Sequence, residues 1–95
     1  MAVSVSSSDI AYVEGRGRDC VVHTDEDAYP VLQSLNMFSE ALPESFFRCH
    51  RNFSVNLAYI ETVGAKDVLL KNGASVKLEK AKQSALQFAL EDSDI

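Results

Sequence analysis

The chain has 95 residues, of which 46% are hydrophobic and 24% charged, with a formal net charge of −5 and two cysteines. That size suits one domain with one compact core, since halves would bury too little apolar surface, and the composition excludes a disordered or fibrous chain. No apolar run approaches the roughly 20 residues of a membrane helix, no signal peptide opens the chain, and two cysteines are too few for a disulfide framework, so a cytoplasmic protein with reduced thiols and no membrane partner is expected.

Residues 1–8 are small and Ser-rich, a tail or linker remnant, which leaves a domain over 9–91 and an acidic tail over 92–95. "DIAYVE" and "CVVHT" are β-prone runs separated by "GRGRD", whose glycines supply the dihedral freedom of a hairpin turn. Asp25, Glu26 and Asp27 make a solvated turn, and "AYPVLQ" is a third strand that Pro30 restricts to a sheet edge. Ser34 caps a short helix in which Leu35, Phe38 and Leu42 recur at helical spacing before Pro43 ends it; this helix is expected to pack on a sheet. Short strands follow at 46–49, 54–56, 59–63, 67–70 and 74–78, with Asn72 and Gly73 marking a hairpin between the last two. From Glu79 the pattern turns helical, and Ala81, Ala85, Phe88 and Ala89 are expected to form its inward side.

Several chemistries fail on geometry. Cys49 and His50 are adjacent, which invites a nucleophile and base, but neighbouring strand residues point to opposite faces. Zinc would need Cys20, His23, Cys49 and His50 to converge, and the same alternation leaves at most two on either side. "EGRGRD" runs from strand to strand, whereas a phosphate-binding glycine loop leads into a helix. The carboxylates at 25–27 and 91–94 are in polar runs with nothing to raise their pKa for acid catalysis. Neither an enzyme nor a metal or other cofactor is expected.

Charge is segregated. Residues 15–18, 45–60 and 77–82 together carry seven bases against one acid, or +6, while the rest of the chain carries two lysines and thirteen acids, or −11. The bulk acidity argues against indiscriminate binding to nucleic acid. A phosphate backbone, however, feels the local potential, screened beyond about 8 to 10 Å at physiological salt, so a basic face can work on an acidic domain.

Residues 46–60, "FFRCHRNFSVNLAYI", closely resemble the central motif of the LytTR-type DNA-binding domain of bacterial response regulators, with Phe47, Arg48, His50, Arg51, Phe53, Val55, Asn56 and Ile60 matching. "DIAYVEGRGRDCVVHT" is similar to that family's opening hairpin and "VLLKNGASVKLEK" to its closing one. The resemblance implies a mainly β fold, an elongated sandwich of short antiparallel sheets with one short internal helix and a C-terminal helix. It also implies sequence-specific binding to double-stranded DNA with repeated sites, as the output domain of a transcriptional regulator. Copies would act as a pair on DNA, either below a receiver domain in a longer parent chain or as a free-standing regulator.

Carried over by position, the base-reading residues are Arg16, Arg18 or Asp19 in the first loop, Arg51 in the second and Lys80 in the third. Arg48, His50, Asn52, Lys77 and Lys82 complete the candidate DNA-binding set. Arg51 is the strongest candidate, because its planar fork can bond guanine O6 and N7 together, whereas Lys80 is a point charge. His50 is expected to pack or bond to backbone beside the interface, and Asn56 to cap the loop leading to Ile60.

The chain departs from the family where Glu79 replaces a usual Ser, since a carboxylate beside phosphate repels unless it pairs with Lys82 or turns away. Asn52 also replaces the usual Ser, and Ser54 a usual aliphatic residue. A LytTR-like interaction module that has lost DNA affinity is the alternative, in keeping with the net acidity.

Overall fold

The computed structural model describes residues 6–92, in a body of 39 × 26 × 23 Å. Strands β1 (Ile10–Arg16), β2 (Asp19–Thr24), β3 (Ala28–Val31), β4 (Phe46–His50) and β5 (Phe53–Asn56) form one sheet in the order β3-β2-β1-β5-β4. Strands β6 (Ile60–Val63), β7 (Asp67–Leu70) and β8 (Ser75–Lys77) form a second, and every pairing is antiparallel. Helix α1 (Leu35–Ala41) lies between β3 and β4, and α2 (Gln83–Asp92) ends the described chain. This is the elongated, mainly β sandwich with one internal and one C-terminal helix that the resemblance implied.

Local chemistry explains the connections. The β1–β2 hairpin closes through Gly17 and Arg18 after the Arg16–Asp19 pair, and Gly17 takes a φ of 72°, which costs nothing without a Cβ. Strand β3 is an edge strand, so the missing N–H of Pro30 breaks no ladder. Ser34 Oγ accepts the Met37 N–H at 3.3 Å to start α1, and Leu42, directly before Pro43, has already left helical geometry (φ −80°, ψ 146°). In the β7–β8 hairpin Gly73 has a φ of 89° and its N–H reaches Leu70 O at 3.0 Å. Asn72 Oδ1 accepts from Ala74 N–H at 2.9 Å. Asn56 is buried and structural: Nδ2 donates to Ile10 O at 2.8 Å, and Oδ1 accepts from Ala58 N–H at 3.0 Å. That bond caps a 3-10 turn, Leu57–Tyr59, so Tyr59 falls outside the strand in which it was expected.

The core is divided in two, not single as the length suggested, because the five-stranded sheet is covered on both faces. Ile10, Val13, Cys20, Val22 and Leu35 pack on the α1 side; Ala11, Cys49, Val55, Val68, Leu70, Val76, Leu78 and Leu86 pack between the sheets and α2. A register shift between Ile10 and Tyr12 allows Ile10 and Val13, three apart, to share a face while Ala11 goes to the other. Cys20 and Cys49 are thus buried on opposite sides of one sheet and cannot join in a disulfide while it is intact.

The expected inward side of the last helix is corrected. Phe88 is 70% exposed and Ala81 and Ala85 are also in solvent, whereas Leu86 is fully buried with Ala89 and Leu90 beside it. The start is a 3-10 turn, Lys80–Lys82, which shifts the phase of the helix that follows. Two polar side chains on the inward side then find carbonyls: Lys82 Nζ donates to Arg48 O at 3.0 Å, and Gln83 Nε2 to Gly64 O at 2.9 Å.

Candidate nucleic-acid interface

Strand direction brings the three basic segments to one end of the sandwich. The β1–β2 turn, the β4–β5 turn and the exit from β8 meet there, joined by Gly15 N–H to Asn52 O at 2.7 Å and Glu79 N–H to Cys49 O at 2.9 Å. Asp9 and the acidic turn of Asp25, Glu26 and Asp27 are at the opposite end, where β1 begins and β2 finishes. Part of the acidic surplus is thus held at the end of the strands away from the basic loops, while Asp19, paired with Arg16, and Asp67, paired with Lys77, are at the basic end.

At the centre is the β4–β5 turn, Arg51 and Asn52, which contains no glycine. Every backbone polar group of these two residues has a partner inside the protein. Arg51 N–H donates to Glu79 Oε1 at 3.0 Å, and Arg51 O accepts from Arg48 Nη2. Asn52 N–H donates to His50 Nδ1 at 3.1 Å, and Asn52 O accepts from Gly15. Arg48 Nε also reaches His50 O at 3.1 Å. A partner approaching the turn therefore meets side chains only. The guanidinium of Arg51 has no hydrogen bond or ion pair among the described residues, and both Arg51 and Asn52 are exposed.

This separates the candidates from the central motif into two kinds. Arg51 and Asn52 project; Arg48 and His50 brace. His50 also sets its ring edge against Phe53, with centroids 5.8 Å apart. Its Nδ1 accepts a hydrogen bond, so the neutral ring carries its proton on Nε2.

The third segment divides similarly. Lys77 and Lys80 are exposed and unpartnered among the described residues, whereas Lys82 is committed to Arg48 O. Glu79 neither pairs with Lys82 nor points free into solvent; it bonds the Arg51 amide. Beneath the turn, Cys49 Sγ lies 3.3 Å from Lys77 O, and burial pushes its pKa up to about 11. That is a structural thiol, in the wrong protonation state for a nucleophile.

In the first segment Arg18 and Asp19 are exposed at the hairpin tip, and Arg16 Nη2 lies 3.5 Å from Glu14 Oε1. The same carboxylate oxygen meets His23 Nε2 at 3.3 Å, and the His23 ring stacks on Tyr12 with centroids 4.2 Å apart. Burial, together with the charge of Glu14, raises the Tyr12 pKa. A groove of about 240 Å³ runs between the first two loops and the start of α1, lined by Gly15, Gly17, Arg48, Arg51, Asn52 and Asn36 among others. Gly15 permits this closeness, since a Cβ there would meet Leu35 Cβ at 3.1 Å. Asn36 and Glu14 were not foreseen at the interface, and Glu79, expected there beside phosphate, has the Arg51 amide as its partner; only the folded chain makes these contacts.

Among the described residues no group of three or more His, Cys, Asp or Glu side chains could hold a metal ion, and no helix is long and apolar enough to cross a membrane.

The family described as LytTr DNA-binding domain matches residues 2–91. The transcriptional regulatory protein YpdB of Escherichia coli K12 is 39% identical over 57 residues, covering 59% of this chain and 23% of YpdB. The transcriptional regulatory protein NatR of Bacillus subtilis is 30% identical over 83 residues, 86% of this chain and 34% of NatR. The chain therefore spans well under half the length of these relatives. A LytTr DNA-binding domain from Bacillus cereus superposes with a TM-score of 0.81 at 28% identity, covering 93% of this chain and 86% of that one.

Proposed function

The chain belongs to the LytTR family of DNA-binding domains, and on that premise we propose that it is the sequence-specific DNA-binding output domain of a bacterial transcriptional regulator, working in the cytoplasm. One observation carries this reading: an exposed, unpartnered Arg51 guanidinium projects from a turn whose own backbone is fully bonded, with basic segments on either side.

The groups divide by the work they do. The Arg51 fork enters a major groove and bonds guanine O6 and N7, beside the Asn52 amide, which can donate and accept. Arg16, Arg18, Lys77 and Lys80 neutralise phosphates on either side, so the first and third loops fix register on the duplex. Arg48, His50 and Lys82 support the turn from behind, and Asp19 at the hairpin tip offers an acceptor to a cytosine amino group. The acidic opposite end opposes docking in any other orientation.

Each domain presents one such end, so two copies on a repeated site would double the surface in contact. A receiver domain in a longer parent chain is in keeping with the short share of the relatives that this chain spans. The test is fluorescence anisotropy against duplexes selected from random DNA, at two salt concentrations. Log K is expected to fall with log salt at a slope of about −0.9 per phosphate neutralised. Failure of selection to enrich any sequence, with no salt-dependent binding, would overturn the reading in favour of an interaction module.

A further inference from the structure

We infer that Glu79 is a positioning residue of the DNA-reading turn: its carboxylate, bonded to the Arg51 amide, fixes the direction in which the Arg51 guanidinium leaves the sandwich. This rests on the reading that the turn meets DNA. Glu79 is the one acid in the three basic segments, and on charge alone it should weaken phosphate binding.

The geometry gives it different work. Glu79 holds the second segment at two points, its N–H on Cys49 O at 2.9 Å and its Oε1 on Arg51 N–H at 3.0 Å. A two-point attachment fixes orientation as well as distance. The turn needs such help, because neither Arg51 nor Asn52 has the positive φ that would preset a tight hairpin. Its shape depends on its partners. Two of these, Arg48 and His50, belong to the same strand and travel with it; Glu79 lies 28 residues further along and ties the turn to the third basic segment. Lys82 reinforces the same junction through Arg48 O.

A bidentate contact to one base tolerates only small angular error, so a residue that steers Arg51 affects discrimination more than bulk attraction. Steering and repulsion therefore predict opposite results. Gln and Asp side chains separate the two: Glu79→Gln keeps an acceptor at the same reach and removes the charge, while Glu79→Asp keeps the charge and withdraws the acceptor by one methylene.

The experiment measures wild type, E79Q, E79D and E79A on a duplex selected by the wild type and on a scrambled copy, with thermal melts as the control for folding. Positioning predicts that E79D and E79A lose roughly tenfold or more on the selected duplex, the scale of a lost charge-assisted hydrogen bond, with no matching loss on the scrambled one. E79Q is expected to keep the selected site within about threefold. Equal tightening of E79Q and E79A on both duplexes, with E79D like wild type, would overturn the inference and make Glu79 a repulsive charge. If E79A fails to fold, the E79Q and E79D pair still decides. If the wild type itself prefers no sequence, the proposed function fails and not the positioning role alone.

Discussion

The two turns at the basic end are built in opposite ways. The β1–β2 turn is made by its own residues: Gly17 takes a positive φ, and no side chain from elsewhere bonds to it among the described residues. The β4–β5 turn has no glycine and is held by Arg48, His50, Gly15 and Glu79, the last two from separate parts of the chain. A turn of the first kind tolerates change in its surroundings and offers approximate placement, enough for a phosphate. One of the second kind costs more partners and fixes its side chains more closely, which reading a base requires.

Conditions that strain the support beneath the braced turn should have the largest effect. The folded state holds the Cys49 proton to about pH 11, while an unfolded thiol releases it near 9.0, so the associated stability is whole below pH 9.0 and drains away as pH rises toward 11. That loss is expected to approach roughly 3 kcal/mol. Urea titrations of wild type and Cys49→Ala across that range should converge as pH rises; a constant difference would show that the thiol does not titrate as its burial implies.

Next in size is Arg48→Ala, which strips the partners from His50 O and Arg51 O and should cost roughly 2–3 kcal/mol of stability. A cost below about 0.5 kcal/mol, the range of an ordinary surface change, would break the comparison, since the turn would then be holding itself. On DNA the comparison can be sharpened with Arg51→Ala and Arg18→Ala. The first should lose roughly 1–3 kcal/mol on the cognate site and keep its melting temperature. Arg18→Ala should weaken all duplexes alike and lower the salt slope by about 1. Equal loss for Arg51→Ala on random duplex would demote it to a backbone contact.

The smallest effect should come from Gly17→Ala, whose Cβ meets nothing within 4 Å, leaving only the dihedral cost of about 1–2 kcal/mol. Its effect on stability should not be accompanied by a change in sequence preference. A change in preference would mean that the Gly17 conformation governs how Asp19 meets its base.

Much of the scaffold was legible because its signals are local. Pro30 at an edge, Ser34 as a cap, Pro43 as a stop and Gly17 and Gly73 as turn residues each act within a few positions of themselves. The inward side of α2 was misread for the converse reason. Counting Ala and Phe as buried is sound for a helix on its own, yet Lys82 and Gln83 face inward because carbonyls of Arg48 and Gly64 accept their hydrogen bonds. Leu86, the one fully buried residue of that helix, follows from the phase set by the preceding 3-10 turn.

The amino-acid order alone determined the strand and hairpin succession, the separation of basic from acidic segments, and the motif around Arg51, since dihedral preference, capping and charge are properties of short stretches. Tertiary structure alone decided which bases are free and which are spent. Arg51, Lys80 and Lys82 carry the same charge in the sequence, but the Arg48 carbonyl that claims Lys82, and the carboxylate that holds Arg51 by its amide and leaves its guanidinium open, belong to groups that meet only when the two sheets have packed.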